Sequence, residues 1–212
     1  MTTRPLFIVI EGLDGSGGTT QSRLLQQYFQ QQNQAVVLTN EPTRQSVGRF
    51  IKEILLDPHS KVADSVLAYL FAADREDHVQ QTIFPALKQG SMVISDRYYH
   101  SSLAYQSLSL DFDFVHTINS NFPKPDITFF LYLEPEISFE RVQLRGLPVE
   151  RFETLDKLRS IANSYKKVLD FCQQNGEHIV EIDAKMSIEE IHQLIISHVA
   201  TLLAVNSVTE AT

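Results

Sequence analysis

The 212-residue sequence has little cysteine and little basic charge, and each shortage excludes a class of protein. Cys172 is the single cysteine, so an internal disulfide and a cysteine metal cluster are excluded, which suits a reducing compartment. We expect it to be buried in a helix. The 18 Lys and Arg residues are outnumbered by 26 Asp and Glu, and the formal net charge of -8 argues against a nucleic-acid binder. Any anionic ligand must therefore meet local positive charge.

Long apolar runs are absent as well. Residues 6–10 are followed by Glu11, and residues 127–133 form a run of seven, whereas a membrane-spanning helix needs about 20 apolar residues. Residues 1–5 show no signal-peptide pattern. We therefore expect a soluble cytoplasmic protein.

Five short runs of apolar, β-branched or aromatic residues alternate with longer segments of helical periodicity. This alternation predicts an α/β fold, a five-stranded parallel sheet with helices on both faces. The length fits a single domain, which we place over residues 1–205, with 206–212 as a disordered tail. The five runs are residues 6–10, 35–39, 92–95, 127–133 and 178–182.

Three local signals mark helix ends. Gly90 and Gly176 each follow a helical pattern, where a glycine with positive φ is expected. Ser187 and Glu190 form a capping box that predicts the start of the last helix. That helix is expected to bury Ile191, Leu194, Ile195 and Val199.

A glycine-rich loop follows the first predicted strand and precedes a helix, which is the context of a phosphate-binding loop. Its glycines let successive backbone N–H groups point at phosphate oxygens, and the following helix presents its positive dipole end. Thr19 lies where a hydroxyl would ligate Mg²⁺. The alternative is a strand-to-helix turn with no ligand. The expected ATP-binding residues of the loop are Gly12, Leu13, Asp14, Gly15, Ser16, Gly17, Gly18, Thr19 and Thr20.

The usual loop motif has a lysine where this sequence has Gly18. Losing one charged contact to phosphate costs about 1.5–3 kcal/mol, which weakens the interaction with the nucleotide by about ten- to a hundredfold. The backbone N–H groups and Mg²⁺ remain, and an arginine from elsewhere could supply the missing cation.

Residues 140–153 interrupt the alternation of strands and helices with an arginine-rich, turn-containing segment. Arg141, Arg145 and Arg151 surround Gly146 and Pro148, which favours a mobile lid. The alternative is a solvated helix end, because charge runs often lie on surfaces.

Asp96-Arg97-Tyr98 directly follows the third predicted strand, at the sheet edge where ligands bind in α/β folds. Asp96 could hold Mg²⁺, directly or through water, and Arg97 could neutralise the charge of the transferring phosphate. A salt-bridged surface turn is the alternative.

Two further arginines occupy comparable places. Arg44 follows the second predicted strand, and Arg75 is four residues after Phe71, on the same face of a predicted helix. An aromatic ring beside a guanidinium suits a planar base. Alone, Phe71 is more typical of a core residue.

Together these pieces closely resemble the thymidylate kinase family. The resemblance runs from about residue 6 to about residue 190, in the family's order. The matching pieces are residues 11–21 apart from Gly18, Glu41-Pro42-Thr43-Arg44, residues 70–75, Asp96-Arg97-Tyr98, Ala104-Tyr105-Gln106, Pro123-Lys124-Pro125-Asp126, Arg145-Gly146, and Glu150-Arg151-Phe152-Glu153.

The resemblance implies the fold of P-loop nucleoside monophosphate kinases and the reaction ATP + dTMP → ADP + dTDP with Mg²⁺. It implies that Arg44 and Arg97 grip the acceptor phosphate, that Phe71 stacks on thymine and that Arg75 hydrogen-bonds the base edge. It also implies a homodimer.

On the sugar, the resemblance places Tyr105 against the deoxyribose, where it disfavours a 2′-hydroxyl, and Asp14 at the 3′-hydroxyl. Ser102 and Gln106 lie close by. The Glu41-Pro42 bond resembles the family's cis proline.

On the donor side, the resemblance makes Arg145 the residue that covers adenine and places the loop around Ala184 opposite it. Arg141, Arg145 and Arg151 resemble the lid of members that keep catalytic arginines there, so with Asp96 and Arg97 they are the expected catalytic residues. Two alternatives stay open: a homologue impaired by Gly18, and a kinase for another nucleoside monophosphate or for a nucleoside.

Overall fold

The computed structural model describes residues 4–144, 151–152 and 154–209. It confirms the predicted α/β fold, with five parallel strands in the order β2-β3-β1-β4-β5. Each strand overlaps one of the predicted runs, and the boundaries differ by one or two residues. The strands are β1 Phe7–Gly12, β2 Val36–Asn40, β3 Met92–Asp96, β4 Ile127–Tyr132 and β5 Ile179–Asp183.

Helices connect the strands and cover the sheet. A π-helical turn, Val79–Ile83, joins the third helix to the fourth. The helices are α1 Gly18–Gln31, α2 Ser46–Leu56, α3 Asp64–His78, α4 Phe84–Lys88, α5 Tyr99–Gln106, α6 Phe112–Asn119, α7 Pro135–Leu144, α8 Leu155–Gln174 and α9 Ile188–Thr209.

Nearly all residues of β1, β3 and β4 are buried, and because successive side chains of a strand point to opposite sides, both faces of the sheet are covered there. Phe7 and Val9 of β1 pack into a core with α5 and α8, including Cys172, which is buried in a helix as predicted. Ile8 and Ile10 of the same strand pack into a second core with α1 and α9. Helices therefore lie on both faces, as the alternation of strand runs and helical segments predicted.

The predicted helix-end signals are confirmed. Gly90 and Gly176 have φ of 82° and 80°. In the capping box, the Glu190 amide donates to Ser187 Oγ at 3.2 Å, and the Ser187 amide donates to a Glu190 carboxylate oxygen at 2.9 Å.

The last helix differs from its expected packing at one position. Leu194 is 38% exposed, so its predicted burial is wrong, while Ile191, Ile195 and Val199 are buried. Residues Ile188–Val205 of α9 are also long and apolar enough to cross a bilayer, with a mean hydropathy of 1.3. Here, however, one face of the helix packs against the core beside α1.

The loop after β2 is held between α2 and α3. It contains a cis peptide bond between Glu41 and Pro42, as the sequence resemblance suggested. The buried Asp74 carboxylate of α3 accepts from the Thr43 amide at 2.7 Å and from the Thr43 hydroxyl at 2.6 Å. From α2, Gly48 approaches so closely that a Cβ there would lie 2.1 Å from the Thr43 carbonyl oxygen. The chain entering Arg44 is therefore fixed from two sides.

We expect Asp74→Ala to lower the free energy of unfolding, because the amide and hydroxyl of Thr43 would be buried without an acceptor. Each unsatisfied group costs about 1–3 kcal/mol. Urea unfolding measures the change. Glu76→Ala, which removes an exposed carboxylate from the same helix, is the matched control and should shift stability by less than about 0.5 kcal/mol. Equal losses of unfolding free energy in the two variants would contradict the stabilising role of the Asp74–Thr43 hydrogen bonds.

Candidate active site

A cleft of about 1420 Å³ opens at the carboxyl ends of β1, β2 and β3. The structure brings to it most of the residues that the sequence singled out, although these come from five different parts of the chain. Among its lining residues are Gly12, Leu13, Asp14, Gly15, Ser16, Gly17, Gly18, Thr19, Thr20, Arg44, Phe71, Arg75, Asp96, Arg97, Ser102, Tyr105 and Gln106.

The glycine-rich loop has the shape of an anion cradle. Gly15 and Gly17 have φ of 84° and 99°, a region that L side chains rarely adopt, and α1 begins at the next residue, Gly18. The loop is closed by the Ser16 amide, which donates to the Leu13 carbonyl at 3.1 Å. The positive end of the α1 dipole therefore faces the cleft, as phosphate binding requires.

Thr19 and Asp96 meet in the cleft. The Thr19 hydroxyl donates to Asp96 Oδ2 at 2.5 Å, across a sequence separation of 77 residues. A hydroxyl and a carboxylate are the oxygen ligands that Mg²⁺ takes in such sites, so the residues present fit the predicted metal. A Cβ added at Gly18 would lie 3.1 Å from Asp96 Oδ1, so a side chain at this position would start beside the same carboxylate.

Arg97 joins the two halves of the cleft. Its guanidinium donates to Asp14 Oδ1 of the glycine loop at 2.7 Å, and it lies 5.5 Å from the ring centroid of Tyr105. The Tyr105 hydroxyl reaches the other Asp14 oxygen at 3.3 Å. Burial alone would lower the pKa of Arg97, but Tyr105 and Asp14 raise it well above its usual value, so the cation persists.

Arg97 also has a φ of 73°, which is uncommon for a residue other than glycine and costs about 1–3 kcal/mol. A buried carboxylate beneath it holds the surrounding backbone. Glu11 accepts from the Tyr98 amide and the Ser101 hydroxyl at 2.8 Å, and from the Tyr165 hydroxyl at 2.9 Å.

Sequence reasoning assigned no role to Glu11, Ser101 or Tyr165. The available signal was a charged residue at the end of an otherwise apolar strand. Glu11 is 1% exposed, and burial raises the pKa of Tyr165 well above its usual value. The phenol therefore stays protonated and can donate to the carboxylate.

Arg75 is the most deeply buried of the expected ligand-binding arginines that the structure describes, at 1% exposure. Its guanidinium donates to Glu41, Asn119 and Ser102. Phe71, one turn earlier, lines the cleft and is partly buried against the packed α2 and α3 helices, so the ligand and core interpretations both describe its position. Arg44, in contrast, is exposed to the cleft.

The lid arginines are not gathered in one place among the described residues. Arg141 donates to the Gly15 carbonyl at 3.2 Å and to the Ala184 carbonyl at 3.3 Å, so it bridges the glycine loop and the turn after β5. Arg151 instead donates to Asp64 at the start of α3, at 2.7 Å. Arg145 lies outside the described residues, and the catalytic role of all three stays a prediction.

Phe152 belongs to one of the matching pieces, but sequence reasoning assigned it no role. It lines the cleft and packs edge-on against Tyr105, with ring centroids 5.4 Å apart. The end of the lid segment therefore reaches the wall where the resemblance places the sugar.

A second group of residues of the kinds that bind metals lies outside the lining of the cleft. Ligand atoms of His100, Cys172 and Glu177 lie within 4.8 Å of one another. His100 Nε2 is hydrogen-bonded to Glu177 at 2.8 Å, and burial raises the pKa of the Cys172 thiol. Because a metal ligand must be the thiolate and this thiol stays protonated, the three residues are better explained as a hydrogen-bonded core.

Known proteins agree with the resemblance that the motifs carry. A family model described as thymidylate kinase matches residues 10–195. A probable thymidylate kinase of Pyrococcus horikoshii is 39% identical over 199 residues, which cover 92% of this chain and 95% of that protein. A thymidylate kinase of Exiguobacterium is 37% identical over 199 residues, covering 91% and 93%. A putative thymidylate kinase of Treponema pallidum is 34% identical over 196 residues, covering 91% and 93%. The chain belongs to the thymidylate kinase family.

Proposed function

We propose that this protein transfers the terminal phosphoryl group of ATP to dTMP, giving ADP and dTDP. One observation carries the proposal: Asp14 of the phosphate loop is bonded to both Arg97 and Tyr105 of the acceptor side. The donor loop and the acceptor wall therefore share one cleft. The family of the relatives supports the same reaction.

In the proposed reaction an oxygen of the dTMP phosphate attacks the γ-phosphorus of ATP, and the bond to the β-phosphate oxygen breaks. No covalent nucleophile of the protein takes part, so catalysis comes from positioning and charge neutralisation. The loop N–H groups bind the donor phosphates, while Arg97 and Arg44 bind the acceptor phosphate. Thr19 and Asp96 would hold Mg²⁺, which would supply charge neutralisation for the phosphates when bound.

Selection of the acceptor is proposed to rest on the opposite wall. Phe71 stacks on thymine, Arg75 hydrogen-bonds its edge, and Tyr105 presses on the deoxyribose, with Ser102 and Gln106 close by. The cleft position of all five supports this assignment. On the donor side, Arg145 and the turn at Ala184 would enclose adenine.

We further propose a cytoplasmic homodimer. Two apolar side chains lie exposed on α3, Val66 at 48% and Tyr69 at 55%, and Phe50 of α2 is exposed at 49%. The Tyr69 ring packs edge-on against Phe114 of α6, with ring centroids 5.4 Å apart. These exposed apolar side chains lie on helices that pack together, which favours association with a second copy; we call them the apolar patch.

The dimer is tested by light scattering coupled to size-exclusion chromatography. The wild type should elute with twice the chain mass, and Tyr69→Glu should shift it to the monomer, because a buried charge without a partner opposes association. Leu144→Glu places the same charge at a residue that is 87% exposed, away from the patch, and should stay dimeric. A monomeric wild type at micromolar concentration would contradict the proposal.

The reaction is tested by ADP release coupled to dTMP, with Mg²⁺-ATP and with chelator. We expect dTMP-dependent turnover that the chelator abolishes. Arg97→Ala should lower kcat by about a hundredfold or more, because it removes a preorganised cation from the transferring phosphate. Arg159→Ala removes an arginine whose side chain is 52% exposed and should leave turnover unchanged.

Three outcomes separate the alternatives. Turnover on dUMP, UMP or thymidine that exceeds turnover on dTMP would assign another acceptor. Tight dTMP binding without turnover would favour an impaired homologue. No binding and no turnover would reject the proposal.

Gly18 generates a further prediction, because Arg141 is the described lid arginine that contacts the phosphate loop. If Arg141 supplies the missing charge, Arg141→Ala should lower kcat by about ten- to a hundredfold. Gly18→Lys should then raise kcat by a larger factor in the Arg141→Ala variant than in the wild-type protein.

Gly18→Ala is the matched control for this double-mutant cycle of Gly18→Lys and Arg141→Ala. It adds the Cβ that meets Asp96 Oδ1 at 3.1 Å, without adding an ammonium group. Strictly additive effects of Gly18→Lys and Arg141→Ala would show that the two cations do not substitute for each other.

A further inference from the structure

The guanidinium of Arg75 is caged. Its Nε donates to Glu41 Oε2 at 2.9 Å, one terminal nitrogen donates to Ser102 Oγ at 2.9 Å, and the other donates to Asn119 Oδ1. The rings of Tyr98 and Phe122 lie 5.4 Å and 5.5 Å from the guanidinium carbon. Acceptors thus fix the group in its plane, and aromatic rings pack against it.

Two side chains hold the acceptors of this cage in place. His78 Nδ1 lies 2.9 Å from Glu41 Oε1, and because a carboxylate only accepts, Nδ1 carries the hydrogen. The other ring nitrogen of His78 is bonded to the Thr39 hydroxyl at 2.7 Å. The amide nitrogen of Asn119 donates to the Val115 carbonyl at 2.8 Å, so its oxygen is turned towards Arg75.

The cage limits what Arg75 can offer to a ligand. A guanidinium has five N–H donors, no acceptor, and stays charged. Four N–H groups have protein acceptors, because the terminal nitrogen that donates to Ser102 also lies 2.7 Å from Glu41 Oε2. The terminal nitrogen that donates to Asn119 keeps one N–H for the cleft that Arg75 lines. A carbonyl oxygen of the ligand accepts from such an N–H. An amino group in the same place is also a donor, so both the arginine N–H and the amino N–H stay without an acceptor.

We propose that His78 and Asn119 are positioning residues that make Arg75 a rigid test for a carbonyl oxygen at position 4 of the pyrimidine. A loosely held arginine could turn away from a 4-amino group, but a caged one cannot. Both ring nitrogens of His78 are already bonded, to Glu41 and Thr39, and the amide of Asn119 is bonded to Arg75 and Val115, so both act through the cage rather than on the base. The inference rests on the proposed acceptor, a pyrimidine nucleoside monophosphate.

The test is the ratio of kcat/KM for dTMP to that for dCMP, which differ at position 4. In His78→Leu this ratio should fall by about tenfold or more, because the site no longer fixes the donor that discriminates. The KM for dTMP should rise, while kcat at saturating dTMP changes less than about threefold, since ground-state and transition-state binding are lost together. Asn119→Leu should act in the same direction.

Two controls separate positioning from general destabilisation. In His78→Asn, the amide nitrogen can take the place of Nδ1 and donate to Glu41, so the ratio should stay within about threefold of wild type. Leu67→Ala creates a cavity on the same helix at a core residue that is 1% exposed, and it should lower thermal stability without changing the ratio.

A wild-type ratio in folded His78→Leu and Asn119→Leu would overturn the inference, and so would an equal fall in Leu67→Ala. The proposed reaction can fail separately, as absence of dTMP turnover by the wild type. In that case calorimetric dissociation constants for dTMP and dCMP, measured without ATP, give the same ratio. A wild-type binding preference for dTMP that His78→Leu removes supports the cage, and equal binding of the two nucleotides overturns it.

Discussion

The buried carboxylate of Glu11 is the interaction on which the cleft depends. It lies at the end of β1, at 1% exposure, and ties that strand to the start of α5 and to the middle of α8. A buried charge is tolerated only when hydrogen bonds replace its hydration. Two of the donors to Glu11, the Tyr98 amide and the Ser101 hydroxyl, come from the segment that carries Arg97, so stabilising the carboxylate also helps to fix that cation. The positive φ of Arg97 persists because this surrounding structure over-determines it.

Charge in this protein is organised locally rather than globally. The chain carries a formal net charge of -8, yet its cleft is lined by Arg44, Arg75 and Arg97. Each of the three is held differently: one exposed, one caged and one paired with Asp14. The caged and paired arginines lose little conformational freedom when a ligand arrives, which favours binding. The exposed one can adjust to a phosphate.

Much of the fold could be predicted because its signals are local. Strand runs, glycine caps and the capping box at Ser187 each depend on residues within a few positions of one another. Leu194 was mispredicted because helical spacing alone does not say how wide the buried face is. The cleft residues were found through motifs, and their grouping follows from the rule that ligands bind at the carboxyl edge of a parallel sheet.

The supporting network could not be predicted in this way. Asn119 meets Arg75 across 44 residues, and Tyr165 meets Glu11 across 154, so no local pattern links them. The ion pair of Arg151 with Asp64 likewise joins residues 87 positions apart, and an arginine-rich composition does not specify this.

One helix has a consequence for how the protein can change over evolution. Asp74 holds the loop that carries Arg44, while Arg75 and His78, from the same stretch of α3, build the base cage. A substitution that tilted this helix to admit a different base would also displace the arginine proposed to bind the phosphate. Drift in base preference is therefore expected to proceed through Ser102 and Asn119, which reach the cage from α5 and α6 and leave the phosphate side untouched.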